Sequence, residues 1–354
     1  MPAWFSPSAP HAALFKRMAG LALSLALLLA SEAGDCRGQE AAGTDPEQAR
    51  ALAGIPILPS RTDPEIKTFD FNHYMQVDRD IVIRQAKNKP AARQELLVWL
   101  TGTGGRGRGA GEFCTLAASL GYHVVKVMYP TDIPATICKR DADATSFETF
   151  RMSIIAGGTS PHITVSRADS IESRLTKLLQ LLAKTRPREK WGQFLKADGT
   201  LEWEKLALAG QSQGGGHAFL MGMKHRVARV IGTGAPKDWS PKLPGPAPWL
   251  LAESATPKSR FFSFNHEQDR QGATPDQQWQ ILRAFSGQTS STVVSVDRLA
   301  PPYQHSRHLS TNHPGGPLES SPAHTSVSAN TSATIFKPVW TYLLTEPEAE
   351  RSQP

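Results

Sequence analysis

The sequence predicts an α/β fold in one domain: a mainly parallel sheet with helices on both faces. Three observations predict it. Short apolar runs bounded by glycine or proline have the look of strands buried on both sides. Stretches with helical apolar spacing stand between those runs, and strand–helix alternation builds right-handed βαβ units. No shift of composition divides the region in two.

Size and composition agree. The chain has 354 residues, 40% hydrophobic and 20% charged. A domain of that size hides about 75% of its unfolded surface, which excludes disorder throughout. Gly 28 and Pro 27 are scattered without a period, which excludes collagen-like and repeat architectures. Three cysteines without CxxC spacing exclude a disulfide-dense scaffold and a zinc-ribbon pattern. The net charge of +7 is spread along the chain and no nucleic-acid-binding motif accompanies it, so no nucleic-acid partner is expected.

The N-terminus reads as an address. Lys16 and Arg17 precede the apolar run Ala19 to Ala30, and Ser31-Glu32-Ala33 supplies small residues for cleavage. That pattern is a secretory signal peptide over 1–33, so the protein is expected to be secreted or periplasmic. The run is shorter than the about 20 residues of a membrane span. An uncleaved segment, the alternative, would tether the chain to a membrane. Asp35 precedes Cys36 where a lipoprotein needs a small residue, so lipidation is not expected. Residues 34–64 are small, polar and proline-broken, and read as a linker. The domain is expected over 65–346, followed by a disordered tail at 347–354.

The elements follow in order. Asp80 to Arg84 is a short strand. Glu95 to Gly102 (ELLVWLTG) is a continuous apolar run ending in glycine, a buried strand. The Gly-rich loop Gly102 to Gly111 leads into a helix over Glu112 to Leu120. Tyr122 to Pro130 is the next strand. Ser166 to Lys184 sets Ile171, Leu175, Leu178, Leu179 and Leu182 on one helical face. Lys205 to Gly210, Arg226 to Gly232, Arg260 to Asn265 and Thr292 to Val296 are further strands. A helix lies over Asp276 to Phe285, and Thr334 to Leu344 closes the chain as another. Two cap-like inserts interrupt this order. One runs from Pro130 to Pro161; the other holds Trp239 and Trp249 among Pro241, Pro244, Pro246 and Pro248.

In an oxidising compartment Cys114 and Cys138 would be either a disulfide, worth about 3 kcal/mol by loop closure, or two reduced buried thiols.

Chemistry concentrates on one turn. Gly210-Gln-Ser212-Gln-Gly214 is G-x-S-x-G. The pattern alone arises by chance in about one chain in eight of this size. Its context decides: a buried strand precedes it, a helix follows, and Gly214-Gly215-Gly216 leaves room for a tight turn. Ser212 is therefore read as a nucleophile rather than as a helix cap.

With L-T-G-T-G-G (100–105), G-Y-H-V-V (121–125), A-G-Q-S-Q-G-G-G-H (209–217), N-H-E-Q-D (265–269) and A-H-T-S (323–326), the chain resembles the α/β-hydrolase superfamily. The likeness spans roughly 90–345 and points to secreted bacterial members. It implies the α/β-hydrolase fold and the chain order serine, acid, histidine. A serine hydroxyl needs a base to take its proton, and the base needs a carboxylate to orient it.

By that order Asp269, in the turn after the Arg260 strand, is the acid. Asp238 is its rival and Glu267 a weaker candidate. His324, nearest the closing helix, is the base, with His305 and His308 as alternatives on the long polar excursion that also carries His313. His217 follows the turn too closely to serve and is expected to pack inside its helix. The oxyanion donors are the backbone N–H groups of Gln213, at the helix N-terminus, and Thr103. Thr101 stands where the superfamily commonly has histidine. Gly102 to Gly107 lacks the GK[ST] of a P-loop and the acidic partner of a dinucleotide site.

Two classes of function remain at this point. One is a secreted serine hydrolase, most simply a carboxylesterase acting on a small-molecule or polymeric ester, with peptidase or acyltransferase as variants. It requires neither metal nor organic cofactor. The other is a non-catalytic member of the fold that binds a cell-envelope ligand.

Overall fold

Apolar runs that expect burial on both faces need a central place in a sheet, and a sheet of nine strands among the described residues provides it. The computed structural model describes residues 54–77, 93–107, 109–287, 293–313 and 323–347. The signal segment, the strand expected at Asp80 to Arg84 and the tail beyond Pro347 lie outside the described residues.

In chain order the strands are β1 (Ile55–Ile57), β2 (His73–Val77), β3 (Leu96–Leu100), β4 (His123–Val127), β5 (Gly158–Thr159), β6 (Thr164–Val165) and β7 (Leu206–Gln211). They continue with β8 (Arg229–Thr233), β9 (Trp239–Ser240), β10 (Gly245–Pro246), β11 (Phe261–His266), β12 (Val294–Ser295) and β13 (His308–Thr311). The large sheet has the order β1-β2-β4-β3-β7-β8-β11-β13-β12. Only β1–β2 and β2–β4 pair antiparallel; every other neighbour is parallel. β3 and β7 lie at the centre, with Val98 opposite both Val125 and Leu208.

Alternation along β3 divides the core. Leu96, Val98 and Leu100 face a cluster covered by helices Ser146–Ile155, Ile171–Thr185, Gln213–Lys224 and Pro275–Ser286. Leu97 and Trp99 face a second cluster under helices Gly111–Ser119 and Ala333–Thr345. The expected mainly parallel α/β sheet with helices on both faces is therefore present. Each fully buried Leu, Val or Phe in these layers contributes about 1.5–3 kcal/mol. Among the described residues no helix is long and apolar enough to cross a membrane.

Local chemistry sets the helix ends. Ser170 accepts from the Ser173 N–H as an N-cap, so that helix starts at Ile171 rather than at Ser166. Thr274 and Gln277 form a capping box with Pro275 at the first helical position.

Two sequence expectations are corrected, and the alternative left open for the cysteines is decided. Part of the expected linker is structured: Ile55–Ile57 is a strand on the sheet edge and Pro59–Arg61 a helical turn. The polar excursion that carries His308 contains β13, which inserts between β11 and β12. Of the two readings of the cysteines, the reduced one is present: Cys114 and Cys138 are both free and buried. They belong to the two different core clusters, on opposite faces of the sheet, which is why they do not pair.

Both inserts hold structure of their own. The first carries the 3-10 helix Ala135–Arg140 and helix Ser146–Ile155, and the β5–β6 hairpin straddles its end at Pro161. The second carries the β9–β10 hairpin and the 3-10 helix Pro248–Leu251.

Candidate active site

Strand β7 ends at Gln211, helix Gln213–Lys224 begins at once, and Ser212 between them makes the turn alone. Its backbone stands at φ 54° and ψ −118°. A non-glycine residue there costs about 1–3 kcal/mol and persists only where its surroundings impose it. Here the Ser212 N–H donates to the Thr233 carbonyl at 2.9 Å, and the Ser212 carbonyl accepts from Gly216 N–H at 3.0 Å. Backbones also close in on the turn. A Cβ on Gly210 would lie 2.5 Å from the Gly214 carbonyl carbon, and one on Gly214 would lie 2.1 Å from the Leu100 oxygen. Only glycine fits at either place.

The expected acid and base meet. His324 Nδ1 lies 2.8 Å from Asp269 Oδ2, with the imidazole 8% exposed and the carboxylate wholly buried. Asp269 Oδ1 accepts from the Gln271 N–H at 2.9 Å, so both carboxylate oxygens are engaged. Burial alone would raise the Asp269 carboxyl; the hydrogen bond from His324 and the charges of His324 and Lys237 outweigh it and hold the group below its ordinary range. Burial keeps His324 below its ordinary value, with the Lys237 charge pushing the same way and Asp269 opposing both.

His324 is also next to the serine turn. Gln211 Nε2 donates to the His324 carbonyl at 3.4 Å, and a Cβ on Gly234 would lie 3.4 Å from the imidazole Nδ1. On the other side, a Cβ on Gly102 would lie 3.3 Å from Ser212 Cβ, so the Gly-rich loop borders the serine. That loop is tied to the helix: Thr103 Oγ1 donates to Gln213 Oε1 at 3.0 Å, and Ala135 N–H donates to the same oxygen at 2.8 Å. Thr103 and Gln213, the two expected oxyanion donors, are thereby linked. The Gln213 N–H is among the first four of its helix, which have no intrahelical acceptor.

The alternative residues have other partners. Asp238 accepts from Arg151 Nε at 2.7 Å and Nη2 at 2.6 Å, and from Trp249 Nε1 at 3.0 Å. Glu267 accepts from Ser310 Oγ at 2.9 Å. His308 lies inside the fold between Ser263 Oγ at 3.0 Å and Ser286 Oγ at 2.8 Å. His305 is exposed and pairs with Glu346 at 2.7 Å. His313 packs edge-on against Phe336. His217 is fully buried, against the ring of Tyr129, and burial lowers it far below its ordinary value.

Two residues escape sequence reasoning. Arg151 Nη1 donates to the Gln213 carbonyl at 3.0 Å, from behind the turn, while its other nitrogens hold Asp238. Lys237 reaches Asp269 Oδ2, the Gln271 carbonyl at 3.0 Å and His324 Nδ1 at 2.9 Å. No spacing marks either one; only the packing of the inserts and loops brings them here.

Among the described residues one group, Cys138, Asp141 and His162, brings metal-ligating atoms within 4.8 Å of one another. Its carboxylate is already bonded to His162 Nε2 at 2.6 Å and to Ser146 Oγ.

No protein family matches the chain by sequence, and no curated protein does. Among solved structures the chain is similar to an S-formylglutathione hydrolase from Agrobacterium tumefaciens, at 16% identity and a TM-score of 0.33. The match covers 61% of this chain and 82% of that one. A likeness of that degree carries no weight for the chemistry, which is read from the side chains.

Proposed function

We propose that the protein is an exported serine hydrolase of the α/β-hydrolase type, most simply a carboxylesterase. One observation carries the reading: a serine held at φ 54° on a strand-to-helix turn follows Gln211, whose side-chain amide reaches the backbone carbonyl of a histidine that is itself bonded to a buried carboxylate at 2.8 Å. A turn that only capped a helix has no need of that strain, nor of an imidazole–carboxylate pair at its side. The pattern of Lys16, Arg17 and the apolar run to Ala30 supports export.

In this reading Ser212 Oγ attacks the ester carbonyl carbon while its proton passes to His324 Nε2. Asp269 accepts the Nδ1–H, which leaves Nε2 free as base and stabilises the imidazolium that forms. The carbonyl oxygen becomes an oxyanion facing the N–H groups of Gln213 and Thr103, each worth about 2.7–4 kcal/mol. Collapse expels the alcohol, which takes the proton from His324. Water, deprotonated by His324, then attacks the acyl-enzyme, and the acid leaves as the Ser212 Oγ–C bond breaks.

The test is turnover of short p-nitrophenyl esters. Wild type is expected to hydrolyse them, and Ser212→Ala and His324→Ala to fall by about 10³-fold or more with the fold intact. Turnover retained in Ser212→Ala overturns the assignment, and no turnover of any ester by wild type favours a binding role.

A further inference from the structure

We propose that Lys237 is a positioning residue that gates the base: its ammonium holds His324 in the wrong tautomer, and loss of its proton releases the imidazole to act. This rests on the reading of Ser212, His324 and Asp269 as nucleophile, base and acid.

The geometry behind it is a conflict at one atom. His324 Nδ1 is 2.8 Å from Asp269 Oδ2 and 2.9 Å from Lys237 Nζ. A carboxylate accepts only, and an ammonium donates only. A hydrogen on Nδ1 satisfies Asp269 and opposes Lys237; a lone pair on Nδ1 does the reverse. The nitrogen cannot serve both at once. With Lys237 protonated, its three hydrogens have three acceptors in reach: Asp269 Oδ2, the Gln271 carbonyl and the Nδ1 lone pair. His324 then carries its hydrogen on Nε2 and cannot take one from Ser212. Once Lys237 gives a proton to solvent, its remaining hydrogens suit Asp269 and Gln271. Nδ1 then recovers its hydrogen, and the Nε2 lone pair is exposed. Charge acts in the same direction, because an ammonium 2.9 Å from the imidazole opposes the imidazolium that must form in the reaction.

The surroundings bring this within the working range of pH. Lys237 is 10% exposed. Of the ionisable groups that face it, Asp269 comes from the turn after β11, His324 from the short helix Ala323–Ser326, and Lys139 from the 3-10 helix Ala135–Arg140. Burial outweighs the pull of Asp269 and lowers Lys237 to about 8. Asp238, its chain neighbour, is occupied by Arg151.

The experiment measures the rate at which a fluorophosphonate probe labels Ser212, from pH 7 to pH 9. It uses wild type, Lys237→Met and Lys237→Arg, with Ser212→Ala as the blank. Wild type is expected to label about ten-fold faster at pH 9 than at pH 7. Lys237→Met should already be fast at pH 7 and vary less than about two-fold across the range. Lys237→Arg, charged throughout, should stay slow. The proposal is overturned by a flat wild-type profile, or by a folded Met variant that keeps the wild-type rise or labels at no pH. If the Met variant does not fold, an Arg variant that shows the wild-type rise overturns it. Wild type that never labels at Ser212 fails the nucleophile reading itself, which is a distinct result.

Discussion

Arg151 and Asp238 meet through two parallel hydrogen bonds, Nε to Oδ2 at 2.7 Å and Nη2 to Oδ1 at 2.6 Å, in the interior behind the serine turn. Both side chains are 3% exposed or less. The pair joins the two inserts, since Arg151 lies on helix Ser146–Ile155 and Asp238 just before β9. Removing one partner strands the other charge in a dry site. Asp238→Asn is therefore expected to lower stability by about 3–5 kcal/mol, measured by denaturant unfolding. Its labelling by a serine probe, in protein that remains folded, should change far less than that of an Asp269 variant. The opposite ranking would make Asp238 the working acid.

Asp269→Asn should keep the fold and lose the chemistry. An amide can present its N–H₂ to His324 Nδ1, which stabilises the tautomer with hydrogen on Nε2. A rate loss of about 10⁴-fold is expected in ester turnover, with binding less affected. Turnover within ten-fold of wild type would move the acid elsewhere.

Stability should fall as the pH drops below about 6.5, the ordinary value of histidine. Burial lowers His308 to about 4 and His73 to about 3, so the folded protein keeps both neutral where the unfolded chain protonates them. Because the folded values lie below the unfolded one, stability is complete above pH 6.5 and erodes as pH falls toward them. His308 alone accounts for roughly 3 kcal/mol of that loss. The melting temperature followed from pH 7.5 to pH 4.5 checks this. His308→Gln should flatten the slope, and an unchanged slope would refute the assignment.

Gly214→Ala should break the turn, since its Cβ would lie 2.1 Å from the Leu100 oxygen, a backbone atom with no rotamer to yield. A cost of about 1–3 kcal/mol or more is expected in denaturant unfolding, together with loss of serine labelling. A variant as stable and as reactive as wild type would show that the turn is looser than this packing implies.

The central strands were legible because β3 and β7 are almost wholly apolar, and β4 and β11 carry runs of Val and Phe among a few buried polar residues, so burial there leaves a plain trace in sequence. β13 was not. His308, Ser310 and Thr311 are polar, and they are buried because Ser263, Ser286, Glu267 and Asp297 supply partners from elsewhere in the chain. A polar strand satisfied by distant residues reads as a loop. The strand Ile55–Ile57 is too short to show a period. Within the site, Ser212 announces itself by its motif. Asp269 and His324 follow from chain order once the fold is assumed, and the structure brings those two together. Lys237 and Arg151 act through contacts across 32 to 87 residues of chain, for which local sequence holds no signal.

The most direct test of the central claim is to locate the residue that a fluorophosphonate modifies. The folded protein is treated at pH 9, digested, and its peptides are mapped by mass spectrometry. A single adduct on Ser212, absent from Ser212→Ala, is the expected result. An adduct on another residue, one that persists in Ser212→Ala, or none at all would contradict it.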